Sequence, residues 1–164
     1  MLNLNYKRRL ILGTASFKSN YGLDKKTKIK NKELIKIFNY CLKEQILYID
    51  SSNKYQLTDF KNYNKALKKF KIILKIKFDF QKKTYYQLKN EIFFIINNFL
   101  SKNQIKKLYC VMLHSENIMT SKNKIKVYEI LKLIKKIKLV DKIGISSYDL
   151  NKTTKKIKKF DFDI

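Results

Sequence analysis

Short apolar runs, each closed by a polar residue and followed by an amphipathic stretch, recur along this chain and limit its fold more than any other feature. Ile46-Leu47-Tyr48-Ile49 closes on Asp50, with Tyr55 shortly beyond. Ile72-Ile73-Leu74 closes on Lys75, and the run from Leu108 to Leu113 closes on His114, the single histidine. Ile143-Gly144-Ile145 closes on Ser146. Runs this short between longer helix-like stretches read as strands alternating with helices, the order of a parallel sheet. A parallel barrel gathers the C-terminal ends of its strands on one rim, so residues far apart in sequence would share a site there.

The elements follow from periodicity and caps. Leu10 to Leu12 is predicted as strand one, ending at Gly13-Thr14, and a polar loop containing Asn20-Tyr21-Gly22 follows. Helix one is predicted from Asn31 as N-cap, with Leu34, Ile35, Phe38, Cys41 and Leu42 on one face. Strand two is Ile46 to Ile49, and helix two runs from Thr58 with Phe60, Tyr63, Leu67 and Phe70 as its stripe. Strand three is Ile72 to Ile76. Thr84-Tyr85-Tyr86-Gln87 is a capping-box pattern for helix three, whose stripe is Leu88, Ile92, Ile95, Ile96 and Phe99. Strand four is Leu108 to Leu113, helix four carries Val127, Ile130, Leu131, Ile134 and Ile137, and strand five is Ile143 to Ile145. A fifth helix from Leu150 to Lys159 precedes Phe160 to Ile164, the opening of a sixth strand. No linker divides residues 1–164, so they read as a single α/β domain. An open dinucleotide-binding sheet wants a glycine-rich turn after its first strand, and Gly13-Thr14-Ala15-Ser16 does not supply one. The expected architecture is an incomplete (β/α)₈ TIM barrel of five units, since a whole barrel takes eight units and about 250 residues.

The charge points less clearly than it first suggests. Lys and Arg number 38 against 13 Asp and Glu, a net charge of +25, which raises a nucleic-acid-binding protein as the alternative reading. Nearly all the cations are lysine, with only Arg8 and Arg9 beside them; Pro and Trp are absent and Gly numbers 3. Lys, Asn, Ile, Phe and Tyr are residues of AT-rich codons, so compositional drift accounts for the excess. The lysines are spread over every helix and are not interleaved with stacking aromatics in one patch, so no specific nucleic-acid partner is expected. Cys41 and Cys110 lie inside apolar runs at no metal-ligand spacing, which makes them buried thiols with no metal site. Met1 to Arg9 is polar with no apolar segment of a signal peptide behind it, and no run approaches the ~20 apolar residues of a membrane span. No membrane partner is expected, and the expected compartment is the cytoplasm.

Several motifs, taken in order, resemble the N-terminal part of an aldo-keto reductase. Leu12-Gly13-Thr14-Ala15-Ser16-Phe17 with Tyr21-Gly22 is similar to the family's opening, and Tyr48 to Tyr55 to its Asp-Thr-Ala-x-x-Tyr-Gly segment. Lys71 to Ile76, Val111-Met112-Leu113-His114 and Lys142 to Tyr148 resemble three further strand-end motifs. Singly these are weak, for Tyr55 is one of 11 tyrosines; together, each at a strand end, they are specific. All three glycines, Gly13, Gly22 and Gly144, fall inside them.

The resemblance implies reduction of an aldehyde or ketone by NADP- or NAD-linked hydride transfer. It makes Tyr55 the general acid. A free phenol, with a pKa near ~10, releases its proton reluctantly at neutral pH, and a nearby ammonium favours that release. It assigns the ammonium to Lys75, held by Asp50, and the orienting of the carbonyl oxygen to His114. Ser146 and, less directly, Ser147 become contacts of the nicotinamide carboxamide, and Gly13 and Thr14 join them as cofactor-binding residues. Lys77 lies on the same side of the strand as Lys75. Lys75 is preferred because an unpaired ammonium one layer inside a barrel is expensive, whereas Lys77 at the rim stays wet. The chain departs from the family at Ser51 and Ser52, where the family has Thr and Ala, at Gln56 in place of Gly, and at Leu74 in place of Thr. Strands six to eight, which supply most nucleotide contacts in the family, have no counterpart here. The chain is therefore expected to be truncated and weak or inactive alone, with open barrel edges that invite self-association. A catalytically dead remnant acting through protein contacts is the third reading.

Overall fold

The computed structural model describes residues 9–17, 29–55, 63–114 and 116–164; the Asn20-Tyr21-Gly22 loop and the first part of the expected second helix lie outside them. Five strands, β1 (Ile11–Gly13), β2 (Tyr48–Ser52), β3 (Lys71–Ile76), β4 (Leu108–Leu113) and β5 (Val140–Ile145), form one sheet in the order β1-β2-β3-β4-β5. Every neighbouring pair is parallel. The helices are α1 (Asn31–Lys43), α2 (Asn64–Leu67), α3 (Tyr85–Asn103), α4 (Lys124–Lys136) and α5 (Leu150–Ile157), with a 3₁₀ turn over Glu116–Thr120. Strand order equal to chain order leaves no point at which the winding reverses. That separates barrel winding from the doubly wound sheet, whose order turns back on itself. The expected α/β partial barrel is what the chain builds.

Alternation along the strands sorts side chains to two faces. Ile72, Leu74 and Ile76 of β3, Val111 and Leu113 of β4, and Ile143 of β5 are buried in the same core as Leu88, Ile92 and Ile96 of α3 and Val127, Ile130 and Ile134 of α4. The helical spacing expected for α3 and α4 therefore marks their buried faces, although Ile137 at the end of α4 is exposed. The opposite face carries the partners Gly13, Asp50, Ile73, Cys110 and Lys142 in one row. The next row is Ser52, Lys75, Met112 and Gly144.

The caps explain several boundaries. Thr84 and Gln87 exchange side-chain bonds with each other's backbone N–H at 3.3 and 2.9 Å, the reciprocal cap expected for α3. Helix α1 is capped one residue earlier than expected, at Lys30, whose N–H is taken by Glu33 at 2.7 Å. Strand two also begins later than its apolar run. The N–H of Ile46 bonds back to the carbonyl of Cys41 at 2.8 Å and that of Gln45 to Leu42 at 3.2 Å. Ile46 therefore closes α1, with Gln45 at φ 59°. Gln104 at φ 51° and Lys138 at φ 60° end α3 and α4 in the same way, followed by Ile105 and Leu139. Strand β5 starts three residues before its expected Ile143, because Val140 pairs with Leu108 and the polar Asp141 and Lys142 continue the ladder.

Residues 161–164 run beside β5 without forming a regular strand. The N–H of Ile145 donates to the Ile164 carbonyl at 3.0 Å and that of Asp163 to the Ile143 carbonyl at 2.9 Å. The Asp163 carboxylate takes the Ile143 N–H at 2.8 Å and the Lys135 ammonium at 2.6 Å. Gly144 is required here, since a Cβ on it would stand 2.5 Å from the Ile164 carbonyl oxygen.

Candidate active site

The site lies where β2, β3 and β4 end. The Asp50 side chain leaves the inner face of β2, and the Lys75 side chain leaves that of β3. They meet with Lys75 Nζ 2.8 Å from Asp50 Oδ2, both side chains largely shielded. The strand β2 runs through Asp50 into Ser51 and Ser52, and a turn over residues 53–55 follows. The turn is set by Tyr55 N–H donating to the Ser52 carbonyl at 3.1 Å. It swings the Tyr55 ring against Lys75, whose Nζ is 5.6 Å from the ring centroid. His114, one residue past β4, presents its imidazole edge-on to the same ring, with centroids 6.5 Å apart and planes at 88°. Its N–H donates to the Ile76 carbonyl at 2.9 Å, which extends the β3–β4 ladder to the rim.

Electrostatics follow from this packing. Burial pulls the Lys75 ammonium down, but its hydrogen bonds to Asp50 and Tyr55 and their charges outweigh that, so its pKa stands above the usual lysine range. His114 is held below the usual histidine range by burial first, then by the positive charges of Lys75 and Lys77, with Asp50 opposing in part. At neutral pH the site therefore holds an ammonium and a neutral imidazole beside the Tyr55 ring.

Lys77 is exposed, as the rim position implies. Its backbone is held by Asn53, which donates to the Lys77 carbonyl at 2.9 Å and accepts its N–H at 2.8 Å. Asn53 thus continues the sheet with a side chain where backbone pairing stops. Sequence reasoning passed over it because an Asn after a strand reads as an ordinary turn residue.

The four residues assigned to the cofactor differ in their surroundings. Gly13 pairs with Asp50 and has open space before it, since a Cβ there would meet nothing within 4 Å. Ser146 sits half-buried one residue past β5, its N–H donating to the Leu113 carbonyl at 2.8 Å, next to His114. The hydroxyl of Thr14 is buried and donates to the Asp50 carbonyl at 3.0 Å, so it joins β1 to β2. The Ser147 hydroxyl donates to the Asp149 carbonyl at 3.1 Å, accepts the Asp149 N–H at 3.0 Å and contacts Thr153 Oγ1. It organises the start of α5. Gly13 thus faces open space, whereas the hydroxyls of Thr14 and Ser147 bond to neighbouring backbone.

Among the described residues no group of three His, Cys, Asp or Glu side chains could hold a metal ion, and no helix is long and apolar enough to cross a membrane. A cavity of about 400 Å³ opens at the other end of the sheet, among Lys71, Leu108, Tyr109 and Asp141. It holds none of the chemistry gathered at the strand ends.

A partial parallel barrel with an Asp–Lys pair, a tyrosine and a histidine on one rim defines a class, and sequence comparison names it. The family model of the aldo/keto reductases matches residues 9–164, and the chain belongs to this family. Solved structures agree in fold. A Pseudomonas aeruginosa protein assigned to the aldo-keto reductases is similar with a TM-score of 0.69 at 17% identity, over 92% of this chain and 60% of that one. The holo form of an aldo-keto reductase from Bacillus halodurans gives 0.66 at 17%, over 93% and 50%. An aldo-keto reductase of the silkworm, Bombyx mori, gives 0.62 at 13%, over 94% and 48%. The chain thus spans between about half and three fifths of the length of these relatives. Comparison with curated protein sequences found no match.

Proposed function

We propose that these residues carry the proton-transfer half of an NAD(P)H-dependent reduction of an aldehyde or ketone to an alcohol. The observation that carries the proposal is Lys75, bonded to Asp50 at 2.8 Å while its ammonium lies 5.6 Å from the centre of the Tyr55 ring. When bound, the reduced nicotinamide supplies a hydride to the carbonyl carbon. Tyr55 gives its hydroxyl proton to the carbonyl oxygen, and Lys75 offers positive charge to the phenolate that remains. Asp50 holds Lys75 in place, and the neutral His114 donates a hydrogen bond to the carbonyl oxygen. Gly13 leaves room for the nicotinamide and Ser146 offers it a hydroxyl, with Thr14 and Ser147 supporting that floor and its neighbouring helix.

The same reading places the protein in the cytoplasm, in keeping with two buried free thiols, Cys41 and Cys110. It assigns no specific nucleic-acid partner to the lysines. It includes self-association through β1, an edge strand among the described residues, where Ile11 and the preceding Leu10 are 51% and 45% exposed.

Titration with NADPH followed by cofactor fluorescence, together with carbonyl-dependent NADPH oxidation, tests the proposal. Tyr55→Phe should lower turnover by about 10²–10⁴-fold, and Lys75→Met should act likewise while Lys77→Met leaves turnover nearly unchanged. Turnover undiminished in Tyr55→Phe would remove the proposal.

A further inference from the structure

Neither the family pattern nor the reaction accounts for Ser52. It stands where the family has alanine, it is fully buried, and its Oγ lies 3.3 Å from Nδ1 of His114. The Ser52 oxygen already accepts the N–H of Lys54 at 3.3 Å. A buried hydroxyl must also place its hydrogen, and no other acceptor pairs with Ser52 among the described residues. If Nδ1 carried the proton, two donors would face one oxygen and the hydroxyl hydrogen would be stranded. If Nδ1 is bare, the hydroxyl donates to it and every group is satisfied.

We infer that Ser52 is a positioning residue that fixes His114 in the tautomer with the proton on Nε2. The second ring nitrogen of a histidine is set by the bond its first one makes. Here that leaves Nε2–H, the nitrogen not held by Ser52, as the donor to the substrate oxygen. The inference rests on the proposed carbonyl reduction for its purpose, but its physical content does not depend on turnover.

His114 is the only histidine, so long-range ¹H–¹⁵N correlation of the full chain reports its tautomer without ambiguity. At a pH where the ring is neutral, the native protein should show protonated Nε2 and bare Nδ1. Ser52→Ala, which installs the family's own residue, should relax the ring toward the mixture of tautomers of a free imidazole. Ser52→Thr, which keeps the hydroxyl, should restore the single form. A protonated Nδ1 in the native chain, or an unchanged tautomer in Ser52→Ala, overturns the inference. Should the native and Ser52→Ala spectra behave as described while no carbonyl is reduced, the functional proposal fails and the assignment of Ser52 stands.

Discussion

His114 shows how much chemistry one position can hold. Its low pKa comes from burial and from Lys75 and Lys77, so it resists protonation in the folded chain more than in the unfolded one. Folding stability linked to it is fully present above the ordinary value of 6.5 and is lost as the pH falls below that toward the folded pKa. The imidazole should therefore titrate with a midpoint below 6.5 by NMR, and His114→Gln should flatten the fall in urea midpoint between neutral and mildly acid pH. Lys75 works with the opposite sign: its raised pKa gives stability present below 10.5 and lost as the pH climbs through the folded value. Beside them, the Ser51 hydroxyl is buried with no hydrogen-bond partner among the described residues. Ser51→Ala relieves that desolvation and should raise stability by about 1 kcal/mol in denaturant titration. Cys110 carries the clearest displacement, since burial first and the charge of Asp163 next push its thiol up to about 12. It should stay unreactive toward a thiol reagent at pH 8 in the folded state and react on unfolding.

At the scale of elements, the three helix ends at Gln45, Gln104 and Lys138 share one compromise. Each residue adopts a left-handed backbone that glycine accepts freely and an L side chain resists. The composition, with 3 glycines in 164 residues, leaves no glycine at these turns. Gln104→Gly should stabilise the chain by about 1 kcal/mol, read as a higher denaturation midpoint, because the native φ is relieved of its Cβ clash. The cap at Thr84 works the other way, and Thr84→Ala should cost about 1 kcal/mol. The longest helix, α3, depends on its buried stripe, where Ile92 is fully enclosed. These stripes and the capping box were legible because helical periodicity and cap chemistry are local. The start of β2 was not: Ile46 is as apolar as Ile49 and differs only in bonding back to Cys41. The start of β5 was hidden for the converse reason, since Asp141 and Lys142 are polar and joined to the sheet only through β4.

The charge belongs to the whole molecule. With a net charge of +25, mutual repulsion opposes the compact state, and exposed ion pairs among the described residues, such as Lys107 with Asp141, offset little of it. Raising ionic strength from low salt to about 0.15 M, where the Debye length is about 8 Å, should raise the melting temperature. A destabilising response would show that specific pairs outweigh the general repulsion. The alternation of strands and helices, the family motifs and the candidate residues Asp50, Tyr55, Lys75 and His114 were all readable along the chain, because each depends on neighbours in sequence. Only the tertiary structure decided that Lys75 meets Asp50, that Thr14 bonds to Asp50, and that Ser52 reaches His114. Those pairs are separated by tens of residues, and strand register, which no local pattern encodes, brings them together.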